Sequence, residues 1–206
     1  MKYEKPTVGN ELLPRSDIDI LPPGWMLEDG SESQRIAIHG IYKEAAILNR
    51  EGPSLEVNDI IDRLGTIQGV NIIERRSFYE DFGYRCAEYV FGEVYHEEWA
   101  KQFITDNEPT FWSSTVRFLT EHGYKPIEQP RQGDITAYGG VYDDGRVWFG
   151  HFGIYAGDNK VVSKYGRGPI AIHDLSLIAK GGDRYEGHWG DYIWFFAKDV
   201  TNLRPL

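Results

Sequence analysis

Gly150-His151-Phe152-Gly153-Ile154-Tyr155-Ala156-Gly157-Asp158-Asn159-Lys160-Val161-Val162 is the stretch that decides the fold class. Apolar and aromatic residues flank Gly157-Asp158-Asn159, so the segment reads as two strands joined by a tight turn. Similar segments lie on either side of it. Ile135 to Tyr138, Val147 to Tyr155, Lys160 to Ser163, Pro169 to His173 and Tyr192 to Ala197 all read as strands. Gly139-Gly140, Asp143-Asp144-Gly145 and Gly166-Arg167-Gly168 supply the turns between them. In the last strand Tyr192, Trp194 and Phe196 alternate with Ile193 and Phe195, the pattern of a strand buried on both faces.

Before Pro130 the period is helical. Ile36, Ile38, Ile41, Tyr42, Ala45 and Leu48 predict a helix capped by Ser31 or Ser33 and running to about Arg50. Leu55, Val57, Ile60, Ile61 and Leu64 predict a second helix after Ser54, stopped by Gly65 or Gly69. A third begins near Tyr84 to Cys86 and runs to about Gly92. A fourth spans roughly Thr110 to His122, with Gly123 as its stop. Helices first and strands second is an α+β order. Residues 1 to about 30 carry Pro6, Pro14, Pro22 and Pro23 and read as an irregular arm, which Trp25, Met26 and Leu27 dock on the core. Residues 31–206 read as one domain.

The 206 residues are 41% hydrophobic and 14% aromatic, which is enough for a real core. The formal charge of −10 argues against a general nucleic-acid binder, which needs a basic face. No apolar run approaches a membrane span, and the first residues lack a signal-peptide pattern. The expected compartment is the cytoplasm of the producing cell, with export by a route that reads no cleavable signal as the alternative. A single cysteine permits no internal disulfide.

That cysteine is Cys86, in Gly83-Tyr84-Arg85-Cys86-Ala87-Glu88-Tyr89-Val90. A helix start and a nearby imidazole both favour the thiolate, the nucleophilic form. His151, after Gly150 at the start of an apolar strand, is the expected base. Arg85 is either a cation that helps lower the thiol pKa or a solvated side chain.

Three segments carry a family resemblance. Tyr84-Arg85-Cys86-Ala87-Glu88-Tyr89-Val90 resembles the nucleophile segment of CHAP proteins. Pro130-Arg131-Gln132-Gly133-Asp134-Ile135 resembles the strand entry shared by the NlpC/P60 and CHAP families, and the hairpin from Gly150 to Val162 is similar to their histidine hairpin. The resemblance covers about residues 80–200. It implies a papain-like fold of the NlpC/P60 type, in which the cysteine heads a helix packed on an antiparallel sheet. It also implies a cysteine peptidase or amidase, with Cys86 as nucleophile and His151 as base. A third polar residue would orient the imidazole. Ser163 occupies the aligned place and departs from the usual residue types, and His173 on the next strand is preferred to it. The Cys86 backbone N–H and Tyr84 are the expected oxyanion donors. The substrate class so implied is a peptide or a peptidoglycan-like amide, with no cofactor. A non-catalytic binding protein on the same fold, and a Cys-His acyltransferase or deamidase, are the alternatives.

Other features carry no chemistry in this reading. Glu88, Glu93, Glu97 and Glu98 near His96 read as a solvated acidic helix face, with no metal expected. Gly181-Gly182-Asp183 and Gly187-His188-Trp189-Gly190 read as loops, and His39 and His122 as helix-surface residues.

Overall fold

The computed structural model describes residues 17–27, 32–51, 56–75, 86–102, 115–165, 168–178 and 189–198. In chain order these form α1 (Asp17–Ile20), β1 (Trp25–Met26), α2 (Glu32–Glu51), α3 (Glu56–Gly65), β2 (Val70–Glu74), a π-helix (Glu88–Val94), α4 (Glu98–Gln102), α5 (Thr115–Glu121), β3 (Lys125–Ile127), β4 (Ile135–Val141), β5 (Val147–Gly157), β6 (Lys160–Lys164), β7 (Ile170–Asp174) and β8 (Tyr192–Ala197). The architecture is mixed α+β: one antiparallel, strongly curled half-barrel sheet with short helices.

The sheet order is β1-β8-β4-β5-β6-β7-β2, with β3 also paired to β8. Its centre is the predicted run of strands. The β5–β6 hairpin closes through Asp158 and Asn159, at φ 49° and 56°. Positive φ at both central residues matches the right-handed twist of the flanking strands, and Asp and Asn tolerate it best after glycine.

Both edges differ from expectation. Trp25–Met26, inside the supposed irregular arm, pairs with Ile193 and Tyr192 as a strand, and Asp17–Ile20 is helical. The Asp17 carboxylate accepts from the Val147 backbone N–H at 3.1 Å, tying α1 to the start of β5. Two prolines at Pro22 and Pro23 hide a short strand from any periodicity argument. Val70–Glu74, just past Gly69 and among none of the strands expected from the sequence, pairs with β7 and forms the other edge. So the first half of the chain supplies strands as well as helices.

Helices cover both faces of the sheet. The first core joins Tyr89, Val90 and Phe91 of the π-helix and Val116 and Leu119 of α5 to Phe149, Phe152 and Ile154 of β5. The second joins Ile38 of α2 and Leu64 of α3 to Tyr138, Val161, Tyr165, Ile193 and Phe195. Strand alternation turns Phe152 and Ile154 to the first core and His151 and Gly153 to the other face, and the irregularity in the β4–β5 register between Tyr138 and Gly139 brings Phe149 back to the first. The helix expected from Tyr84–Cys86 exists, but over Glu88–Val94 it has π geometry. The helix expected from Thr110 occupies Thr115–Glu121 among the described residues.

Candidate functional site

The two residues expected to react occupy different cores. Cys86 is helical, lies two residues before the first residue of the π-helix, and is 6% exposed within the first core, together with Phe152, Ile154 and Val162. His151 precedes Phe152 and faces the other way. Its ring lies flat on Trp189, with centroids 4.0 Å apart and planes 8° apart. Tyr138 and Tyr165 lie at 5.7 and 6.1 Å from it, and all three rings belong to the second core. Among the described residues neither His151 nitrogen has a hydrogen-bond partner, so no thiol–imidazole hydrogen bond joins Cys86 to His151.

The two residues expected to orient His151 bond to each other instead. Ser163 and His173 meet at 2.8 Å, Oγ to Nε2. The other ring nitrogen, Nδ1, lies 2.8 Å from the Asp174 carbonyl, which can only accept. Nδ1 therefore carries the proton, and Nε2 accepts from the serine hydroxyl. The pairing follows from register. Val161 lies opposite His173 and Ser163 opposite Gly153, so His151, Gly153, Ser163 and His173 share one face. Tyr84 lies outside the described residues.

Burial governs the charge states on this face. It drives the His151 imidazole well below its ordinary range, and the nearby His173 adds to the effect. Burial likewise lowers His173 to about 4, against the opposing influence of Asp174. Both rings are neutral at pH 7. The Tyr138 hydroxyl, pushed far up by burial, donates to the Leu175 carbonyl at 3.0 Å. Tyr165 donates to the Leu177 carbonyl at 3.1 Å.

Arg35 was missed in the sequence, where it reads as an ordinary helix charge. It is 3% exposed, and its Nη2 donates to the Gly190 carbonyl at 2.8 Å and to Asp191 at 3.3 Å. It thus holds the Trp189–Asp191 segment, and with it the ring stacked on His151. Lys164 is another buried cation, on the Cys86 side of β6; its Nζ donates to the Gly168 carbonyl at 2.7 Å.

The supposed acidic surface near His96 is only partly a surface. Glu88 is buried, and Glu97 accepts from Tyr124 at 2.7 Å and from Lys198. Burial pushes the Glu97 carboxyl up, but bonds from Lys198 and Tyr124 outweigh it and hold it below its ordinary value. Glu93 and Glu98 are exposed. His39, read as a surface residue, buries its Nδ1, and His122 stacks on Phe118 at 4.0 Å. Trp189, expected in a packed loop, does lie outside the strands with its ring buried in the second core. Among the described residues no group of His, Cys, Asp and Glu is arranged to hold a metal, and no helix is long and apolar enough to cross a membrane. The chain matches no protein-family model, no curated protein and no solved structure.

Proposed function

We propose that this chain is a non-catalytic binding protein on a papain-like scaffold, taking peptide or peptidoglycan-fragment ligands without cleaving them. One observation carries the reading: Cys86 packs in one core while His151, with no hydrogen bond to either nitrogen among the described residues, packs in the other. A nucleophile–base couple needs its two atoms within about 3 Å, or a little more before substrate binds. The third residue of such a site should hold the imidazole, whereas Ser163 and His173 satisfy each other.

The second reading is a cysteine hydrolase that cleaves an amide bond, or a related acyltransferase or deamidase. It is favoured by the place of Cys86 in the helical segment that leads into the π-helix and by the motif resemblance. In it Cys86 attacks the carbonyl, His151 takes and returns the proton, and water resolves the acyl-enzyme.

Alkylation separates the two. In the binding reading iodoacetamide modifies Cys86 slowly, with an apparent pKa at or above the ordinary thiol value of about 8.5, and His151→Phe leaves that pKa in place. In the hydrolase reading the pKa lies well below that value and His151→Phe raises it. Wild type and Cys86→Ala are then incubated with muropeptides and simple acyl substrates and followed by mass spectrometry and calorimetry. Binding heat with intact ligand in both proteins is the expected result. A product formed by wild type and absent from Cys86→Ala would overturn the binding reading.

A further inference from the structure

The second core buries two histidines that a binding scaffold has no chemical need of. His151 is 1% exposed and His173 fully buried, one on β5 and one on β7 with β6 between them. They share their neighbours. Tyr138 lies 5.7 Å from His151 and 6.5 Å from His173, and Tyr165 lies 6.1 and 5.4 Å from them. Trp189 closes the cage over His151. There is little slack within it: a Cβ on Gly153 would lie 2.4 Å from Val161 Cγ1 and 3.0 Å from Ser163 Cβ.

A proton on either ring would place a cation in this cage, which burial opposes at both rings and Asp174 only partly offsets at His173. From α2 come the buried Arg35 guanidinium and, one turn on, His39. From α3 comes Leu64, while Asp59, Asp62 and Arg63 are exposed. β4 contributes Tyr138 and the Thr136 hydroxyl, and β8 contributes Ile193 and Phe195. From β6 come Ser163 and Lys160, from just beyond its end Tyr165, and from β7 Asp174, whose carboxylate is paired with Lys160. Asp191, half-exposed, is paired with Arg35. A stacked tryptophan face attracts a cation, but by less than full desolvation removes.

We propose that His151 and His173 form an acid-sensitive latch: proton uptake by either ring releases the α2–α3 layer and the Trp189–Asp191 segment from the sheet, while the first core around Phe91 and Phe152 stays packed. Arg35 is what makes the release concerted, because the same side chain joins α2 to the segment that covers His151. The sign follows from linkage. Both rings hold their proton more weakly in the closed form than in an opened one, so closure is fully favoured above about pH 6.5 and weakens as pH falls below it. For His173 the loss runs down to about pH 4.

Native-state hydrogen exchange at about pH 7 and about pH 5, corrected for intrinsic rates, tests this. The opening equilibrium of α2, α3 and the Asp191 amide, which bonds to the Gly139 carbonyl, should rise on the order of thirtyfold for each histidine that titrates, with little change in the π-helix and α5. His151→Phe, which keeps a ring on Trp189 but takes no proton, should remove about half of the logarithmic effect, and His151→Phe with His173→Gln nearly all of it. Equal loss of protection in both cores, or an unchanged acid response in the double variant, overturns the latch. Should a variant fail to fold, ring-proton NMR of the wild type decides. Two histidine signals that do not titrate before α2 opens support it, and all histidines titrating near the ordinary value in the folded protein overturn it.

Discussion

Gly190→Ala is expected to destabilise the protein by more than about 4 kcal/mol, a fall in Tm of roughly 8–16 °C for a chain of this size. Gly190 has φ +101°, a conformation that side chains other than glycine's single hydrogen rarely permit. A Cβ there would also meet backbone: 2.0 Å from the Gly139 carbonyl oxygen and 2.4 Å from the Gly139 Cα. Neither side can yield cheaply. The Asp191 N–H donates to that carbonyl at 3.0 Å, and Arg35 holds the Gly190 carbonyl from the other side. The consequence reaches the candidate site, because Gly190 follows the tryptophan stacked on His151. Thermal melts followed by tryptophan fluorescence and near-ultraviolet circular dichroism check this. A Tm within about 2 °C of wild type would show that the segment does not lie against β4 as described.

Phe152→Ala should cost about 3–5 kcal/mol, while Phe152→Leu should cost about half that or less. Phe152 is fully buried and meets Phe91 of the π-helix at 5.3 Å, edge to face, and Phe149 at 5.6 Å. Removing the ring takes away an edge-to-face contact between β5 and the π-helix that follows Cys86. The alkylation rate of Cys86 reports the damage. If the thiol reacts through global opening, a loss of 3 kcal/mol speeds modification by about a hundredfold. Urea denaturation and iodoacetamide kinetics on the same samples supply both numbers. Unchanged alkylation beside a large stability loss would place Cys86 at an open site and not in the Phe152 core, and would favour the hydrolase reading.

The strands of the central sheet were legible because each carries a short alternating or apolar run bounded by glycine and aspartate turns. The Asp158-Asn159 turn is the clearest of these, since local chemistry alone selects its backbone. The edge strands were not legible. Trp25–Met26 is two residues long, and Val70–Glu74 follows a helix stop closely enough to read as its tail. Nothing local makes either a strand; each forms because β8 and β7 offer unpaired backbone groups there. Arg35 was invisible for a related reason. A charged residue on a helix reads as solvated unless the partner that buries it is known, and its partner lies at Gly190–Asp191.

The sequence by itself determined the mixed α+β class, the order of the main elements and the singling out of Cys86, His151, Ser163 and His173. Strand alternation even places three of those four on one face once register is known. What only the tertiary structure decided is which residues meet. A motif records which side chain stands near a strand or helix start, but strand pairing and helix docking choose the face each side chain enters. Here they pair Ser163 with His173, lay His151 on Trp189, and leave Cys86 packed beside Phe152's side of the sheet.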